Sequence, residues 1–334
     1  MLGNFATRRA VVTAATVVAS LLSLAGIGSA QAAPTTPQTT AAADTYVATT
    51  CQNRPVQVPV RWYFPAGNPS GLVWLQHGFM RSATNLDGLA TAYAKQGLLV
   101  ASTSVESISP SGCGVAYNLA DNTAFIATMA SVFGHGTDPG SALSQSLRRA
   151  EHSTGRTDVA IPKAMVFSGH SAGGEFVLTA ANALRRTDPV DYRRLSGLML
   201  IDPVNSFIGN NFHTAAVDLG RAGLPIRVIS SPPSISNVGG QGTHWLEQTT
   251  RQRFLGAQLT TGVHIDVEGA DTDILGIASE LAVPRPRNGR VIRTLAPHWT
   301  ADLVDRHPTV AYYPGGRYYD LLLRTNTVTT LPVG

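Results

Sequence analysis

Charge is scarce in this chain. Of its 334 residues 14% are charged, the formal net charge is +4, and no run of Lys or Arg interrupts the sequence. Binding to nucleic acid needs clustered cations, so that partner class is excluded. Lysine is nearly missing: of 25 basic residues only Lys95 and Lys163 are lysines, a mark of codon bias rather than of function. Cysteine occurs twice, as Cys51 and Cys113, and neither stands in the setting of a nucleophile or a metal ligand. No internal repeat is visible, which removes repeat architectures. What the chain does have is a 43% hydrophobic composition, enough for one large α/β domain with a full core.

The N-terminus reads as an export signal over residues 1–33. "MLGNFATRRA" is a short positive region, "VVTAATVVASLLSLAGIG" is apolar, and "SAQAA" offers small residues for cleavage near Ala32 or Ala33. The Arg8-Arg9 pair points to twin-arginine export. The competing reading is an uncleaved anchor, since the apolar run is almost long enough to span a bilayer; cleavage leaves no stable membrane span. The mature chain then carries 23 basic and 21 acidic residues. "PTTPQTTAAADT" reads as disordered, giving a linker over residues 34–48 before a single domain over 49–334 with a C-terminal helical extension. Two cysteines in an exported chain predict one disulfide, Cys51–Cys113.

From residue 55 onward, short apolar runs alternate with helical patterns. "VQVPVRWYF" has period two and reads as an edge strand. "GLVWLQ", "LLVAST", "AMVFS", "LSGLMLID" and "LPIRVISS" read as strands, and "RFLGAQLT" as the last one. Helical patterns cover "NLDGLATAYAKQG", "LADNTAFIATMASVFG", "GGEFVLTAANALRR", "ILGIASEL" and "NGRVIRTLAPHWTADLV". The alternation predicts an α/β fold, a mostly parallel central sheet with helices on both faces. Functional groups of such sheets gather at the carboxyl ends of the strands.

One motif sits where that rule needs it. "KAMVFSGHSAGGEFVLTAANAL" runs a buried strand into Gly169-His170-Ser171-Ala172-Gly173 and then a helix. A lone G-x-S-x-G is weak evidence, but between strand and helix it is where a strained elbow presents a nucleophilic serine, here Ser171. An oxyanion hole needs two backbone N–H donors. Ala172 supplies one, and Phe79, in the turn "LQHGFMRS", the other; His77 there reads as a histidine that structures the loop. Met80, His170, His244 and Trp245 are candidates for the substrate pocket. The acid is Asp202, at the carboxyl end of "GLMLID", because the segment after "LPIRVISS" offers no Asp or Glu before Glu247. For the base, His264 just beyond "RFLGAQLT" is preferred and His298 is the alternative. Asp266 and Glu268 flank His264, a weak metal signal for want of a fourth ligand; no metal and no cofactor is expected.

The order Ser171, Asp202, His264 and the elbow resemble the α/β-hydrolase superfamily. Within it the chain is similar to secreted bacterial esterase/lipase-type hydrolases related to chlorophyllase and to the dienelactone-hydrolase-like group. The resemblance rests on "LQHGFMRSATNL", "FSGHSAGG", "LIDPVNS" and "GVHIDVE", spans roughly residues 55–275, and does not reach the C-terminal "APHWTADLVDRHPTVAYYPGGRYYDLLLR". It implies Ser171, Asp202 and His264 as the catalytic triad of a secreted, monomeric carboxylic ester hydrolase acting on a small-molecule or polymeric ester. Export argues against chlorophyll as the substrate. Two rivals stand beside it: an exported acyltransferase using the same triad, and a non-catalytic binding protein on the same fold.

Overall fold

A computed structural model describes residues 41–333. The export signal expected over 1–33 lies outside the described residues. Nine strands form a single sheet: β1 (Ala41–Cys51), β2 (Arg54–Phe64), β3 (Gly71–Gln76), β4 (Leu98–Thr103), β5 (Met165–His170), β6 (Leu195–Ile201), β7 (Ile226–Ser230), β8 (Gly256–Leu259) and β9 (Val328–Thr330). The helices are α1 (Asp87–Lys95), α2 (Thr123–Gly134), α3 (Ala142–Thr154), α4 (Ala172–Thr187), α5 (Pro189–Tyr192), α6 (Asn211–Ala222), α7 (Gln241–Thr249), α8 (Ile274–Glu280), α9 (Pro286–Asp305) and α10 (Arg317–Arg324). No described helix is long and apolar enough to cross a membrane.

The sheet order is β1-β2-β4-β3-β5-β6-β7-β8-β9. The stretch from β4 to β8 is parallel throughout, and antiparallel pairs close both sides. Strand alternation feeds two cores, one on each face. Leu72 and Trp74 of β3 point into the core shared with α2, α3, α4, α6 and α7, while Val73 and Leu75 point into the one shared with α1, α9 and α10. Trp74 stacks on Phe133 with ring centroids 4.2 Å apart.

Three expectations are corrected. The spacer over 34–48 gives way at Ala41 to β1, which pairs with β2 along its whole length. Its Ala- and Thr-rich composition hides a strand whose Ala43, Val47 and Cys51 point inward and whose Thr45 hydroxyl meets Ser146 Oγ at 2.7 Å. A tight turn closes the pair, Gln52 and Asn53 both having positive φ, as a two-residue hairpin requires. The segment "VQVPVRWYF" is therefore not an edge strand: β1 covers it. Nor is "RFLGAQLT" the last strand, because β9 adds antiparallel to β8. The C-terminal region is integral to the fold, with Leu295, Trp299 and Tyr319 fully buried in the second core.

The disulfide Cys51–Cys113 is present, with a Cα–Cα distance of 6.0 Å, and ties the β1 terminus to the loop after β4. Helix α3 was not expected from the sequence pattern; it packs over β1, and Arg149 lies 4.2 Å over the Tyr46 ring.

Candidate active site

Strand ends bring the candidate residues together. The peptide turns sharply where β5 meets α4, and Ser171 takes the strained φ of 57°. Side chains on either side would block that turn: a Cβ on Gly169 would lie 2.2 Å from Gly173 O, and one on Gly173 would lie 2.3 Å from His77 O. Glycine at both positions lets α4 start against β5 and the 77–80 turn close over it.

Ser171 Oγ lies 2.8 Å from His264 Nε2, and His264 Nδ1 lies 2.6 Å from Asp202 Oδ2. All three are buried. Asp202 is at the end of β6, and His264 opens a single helical turn, 264–267, beyond β8. The carboxylate accepts from Nδ1–H, which leaves the Nε2 lone pair facing the serine hydroxyl. Burial alone would lower the His264 pKa, but the hydrogen bond and charge of Asp202 outweigh it, and the pKa is raised above 6.5. For Asp202 burial pushes the other way, yet His264 and the Ser231 donors hold its pKa below the usual carboxylate value. His298 is elsewhere: its Nδ1 donates to Thr294 O inside α9, and its ring lies against Tyr312.

Asp202 has further support that the residue pattern did not signal. Ser231 N donates to Oδ1 at 3.0 Å, the Ser231 hydroxyl donates to Oδ2, and Asn237 Nδ2 reaches Oδ1 at 3.3 Å. These donors sit in the loop after β7, the segment that lacks an acid. Neutral donors there complement a carboxylate arriving from the neighbouring strand.

Ser171 and His264 open into a cavity of about 470 Å³, also lined by Phe79, Ala172, Val204 and Phe207. Neither the Phe79 nor the Ala172 N–H has a bonding partner among the described residues, so both donors remain available at the cavity. Ala172 also begins the 16-residue helix α4, whose N-terminal dipole favours negative charge.

The other pocket candidates are placed away from this lining. Met80 points outward, and its N–H donates to Ser107 Oγ at 2.6 Å. His244 is on the exposed side of α7, bonded to Gln248. Trp245, on the same helix, packs against Phe212 and His213. His170 faces inward from β5, and its Nε2–H donates to the His264 carbonyl at 2.9 Å. Burial and the nearby His264 drop its pKa to about 3, so it stays neutral and braces the His264 backbone. His77 is also neutral, its pKa lowered by burial to about 4: Nδ1–H donates to Gly78 O, and Nε2 accepts from Val105 N–H.

The acids flanking His264 have structural partners. Asp266 accepts from Val263 N at 2.8 Å and Asn288 Nδ2 at 2.7 Å, while Glu268, fully buried, pairs with Arg81 Nε at 2.8 Å. The one grouping with metal-ligand spacing among the described residues, His135 with Asp188 and Asp191, is outside the cavity lining, and its members pair with one another.

No known protein family and no curated protein matches the chain by sequence. Solved structures do match by shape. A ferulic acid esterase from Streptomyces cinnamoneus superposes with a TM-score of 0.54 at 14% identity, over 90% of this chain and 98% of that one. An esterase from Pyrobaculum calidifontis gives 0.51 at 14% identity, over 79% of this chain and 85% of that one. The sheet and these likenesses show the α/β-hydrolase fold.

Proposed function

We propose that this chain of α/β-hydrolase fold is an exported serine esterase that cleaves carboxylic esters through an acyl-enzyme. The observation that carries the reading is the continuous hydrogen-bonded line from Ser171 Oγ through His264 to Asp202, ending at a cavity beside two unpartnered N–H groups. His264 Nε2 takes the Ser171 proton as Oγ attacks the ester carbonyl. The Phe79 and Ala172 N–H groups hold the oxyanion. His264 gives the proton to the departing alcohol, water then attacks the acyl-serine with His264 again as base, and the free acid leaves. Asp202 keeps the imidazole in the tautomer that accepts at Nε2 and stabilises its cation. Every group comes from one chain, so a monomer suffices, and the Cys51–Cys113 bridge suits an oxidising compartment. The likeness to two esterases of the same fold agrees with this chemistry.

Hydrolysis of dissolved p-nitrophenyl butyrate by the wild type, lost in Ser171→Ala together with labelling by a fluorophosphonate, is the expected result. Retention of more than a few per cent of the activity in Ser171→Ala defeats the proposal.

A further inference from the structure

The rim of the cavity is unusually apolar for a surface in water. Among the described residues 17 large hydrophobic side chains are exposed, and eleven of them sit on segments that wall the cavity or adjoin its lining, at 79–80, 119, 207–208, 235 and 274–283. Several project almost fully: Phe207 is 80% exposed, Ile235 99%, Ile274 83% and Leu281 93%. Scattered apolar side chains need no explanation, but a concentration on one face marks an interaction site. Three of the eleven, Phe79, Phe207 and Ile235, also line the cavity containing Ser171, so the apolar face is continuous with it.

Charge narrows what the face meets. Segments 116–119, 204–208 and 235–238 contain no Asp, Glu, Lys, Arg or His. Around α8 the acids are Asp271, Asp273 and Glu280, with no Lys or Arg between 271 and 280, and the exposed Arg285 and Arg287 just beyond turn to Thr261 O and Thr327 Oγ1. Arg81, beside Met80, is committed to Glu268 and Asp273. Anionic phospholipid surfaces attract basic collars; this collar is mixed in sign, with no cluster of basic residues.

We propose that this face docks the chain onto the surface of a water-insoluble, uncharged aliphatic ester, such as an ester droplet, and that the substrate is drawn from that phase into the cavity. The inference rests on the esterase reading and adds the physical state of the substrate to it. Apolar side chains of α8 and of the 207–208 and 235 segments enter the ester surface, which keeps the opening above Ser171 dry.

The test separates docking from chemistry. Ser171→Ala protein, which docks without consuming the surface, is mixed with emulsified tributyrin, and bound chain is measured by flotation. The expected result is capture by the droplets, reduced about tenfold or more when Ile274→Ser and Leu281→Asn are added, since each removes an apolar side chain from the contact. The melting temperature of the added-variant protein serves as the folding control, and single substitutions replace the pair if it falls. A wild-type rate that rises more steeply above the solubility limit of tributyrin than below it is the kinetic counterpart. Four results overturn the proposal: Ser171→Ala protein remaining in the water phase, undiminished capture of the Ile274→Ser/Leu281→Asn protein, tighter binding to phosphatidylglycerol vesicles than to droplets, or a dimer that buries the face at assay concentration. Failure of the wild type on dissolved p-nitrophenyl butyrate would instead defeat the esterase reading itself.

Discussion

Asp202→Asn removes one charge and keeps the side-chain shape, and the donors around it determine the consequence. Ser231 N–H, Ser231 Oγ–H, Asn237 Nδ2–H and His264 Nδ1–H all converge on the carboxylate. The Ser231 N–H is a backbone donor that cannot turn, so the new amide oxygen must take its side, at the present Oδ1. The amide NH2 then occupies the Oδ2 position, 2.6 Å from His264 Nδ1. Two donors cannot face each other there, so His264 moves its proton to Nε2 and has no lone pair left for the Ser171 hydroxyl. In a Ser-His-Asp arrangement this tautomer trap costs roughly 10⁴-fold in kcat, or about 5.5 kcal/mol of barrier. The pH profile carries an independent signature. The base works only when neutral, so wild-type kcat/KM rises with pH through a His264 pKa that is raised above 6.5. Without the Asp202 charge, burial is no longer outweighed, and any residual activity has its acid limb displaced to lower pH. The assay is kcat/KM for p-nitrophenyl butyrate from about pH 5 to about pH 9. Activity within about tenfold of wild type, or an acid limb that does not move, would refute the assignment of Asp202 as the group that orients the base.

Arg81→Met leaves the fully buried Glu268 without its cation and should lower unfolding stability by about 3–5 kcal/mol, read as a shift in the urea midpoint; an unchanged midpoint would show that the pair is dispensable. Replacing Cys51 and Cys113 together by Ala opens a loop spanning 62 residues of sequence, for which chain entropy sets a ceiling of about 4 kcal/mol. The expected loss, below that ceiling, should equal the effect of a reductant on the wild type. Buried Glu175, which accepts from Ser206 N–H and hydroxyl, has its pKa raised by burial from 4.5 to about 7. A raised carboxyl pKa favours the fold fully below 4.5 and progressively loses that contribution up to about pH 7, a swing of roughly 3 kcal/mol. Glu175→Gln should therefore flatten this part of the stability profile in melts across that range, and a slope equal to wild type would contradict the burial argument.

Much of this architecture was legible because each layer of the sequence agreed with the next. The apolar runs that become β3, β4, β5, β6 and β7 are short, nearly charge-free and bounded by turns, and buried parallel strands must look that way. Ser171, Asp202 and His264 could be singled out because strand ends are few and each has few chemically able residues. What stayed hidden depends on pairing across long separations. The β1 segment has no apolar run; it is a strand because β2 lies against it and α3 covers it. The last strand, Val328–Thr330, is three residues long and is held by β8. His170 could not be assigned from its place in the motif, since whether it faces a pocket or the His264 carbonyl is decided by how closely the loop after β8 approaches β5.

Backbone strain marks the same face by a signal no residue pattern carries. Ten described non-glycine residues have positive φ. Away from the cavity they are Gln52, Asn53, Asp158, Arg306 and Asn326, three of them types that tolerate this region because a short polar side chain can bond locally. On the cavity side they are Ser171 and Val238, which line it, with Met80 and Leu281 next in sequence to lining residues and Asp202 bonded to His264; only one of these five is of the tolerant kind. Val238 is β-branched, for which the conformation is a true outlier. Such conformations cost on the order of 1–3 kcal/mol each and survive only where the surroundings over-determine them. Here the surroundings are two cores filled from both faces of the sheet, with Gly169 and Gly173 allowing the Ser171 turn to close without further clash. The conformations at Ser171 and Asp202 set the proposed nucleophile and acid on either side of His264. Those at Val238 and Leu281 have no such task in the chemistry. Leu281 closes α8 in the left-handed conformation that commonly ends a helix, and its side chain is left 93% exposed next to Glu280 of the cavity lining.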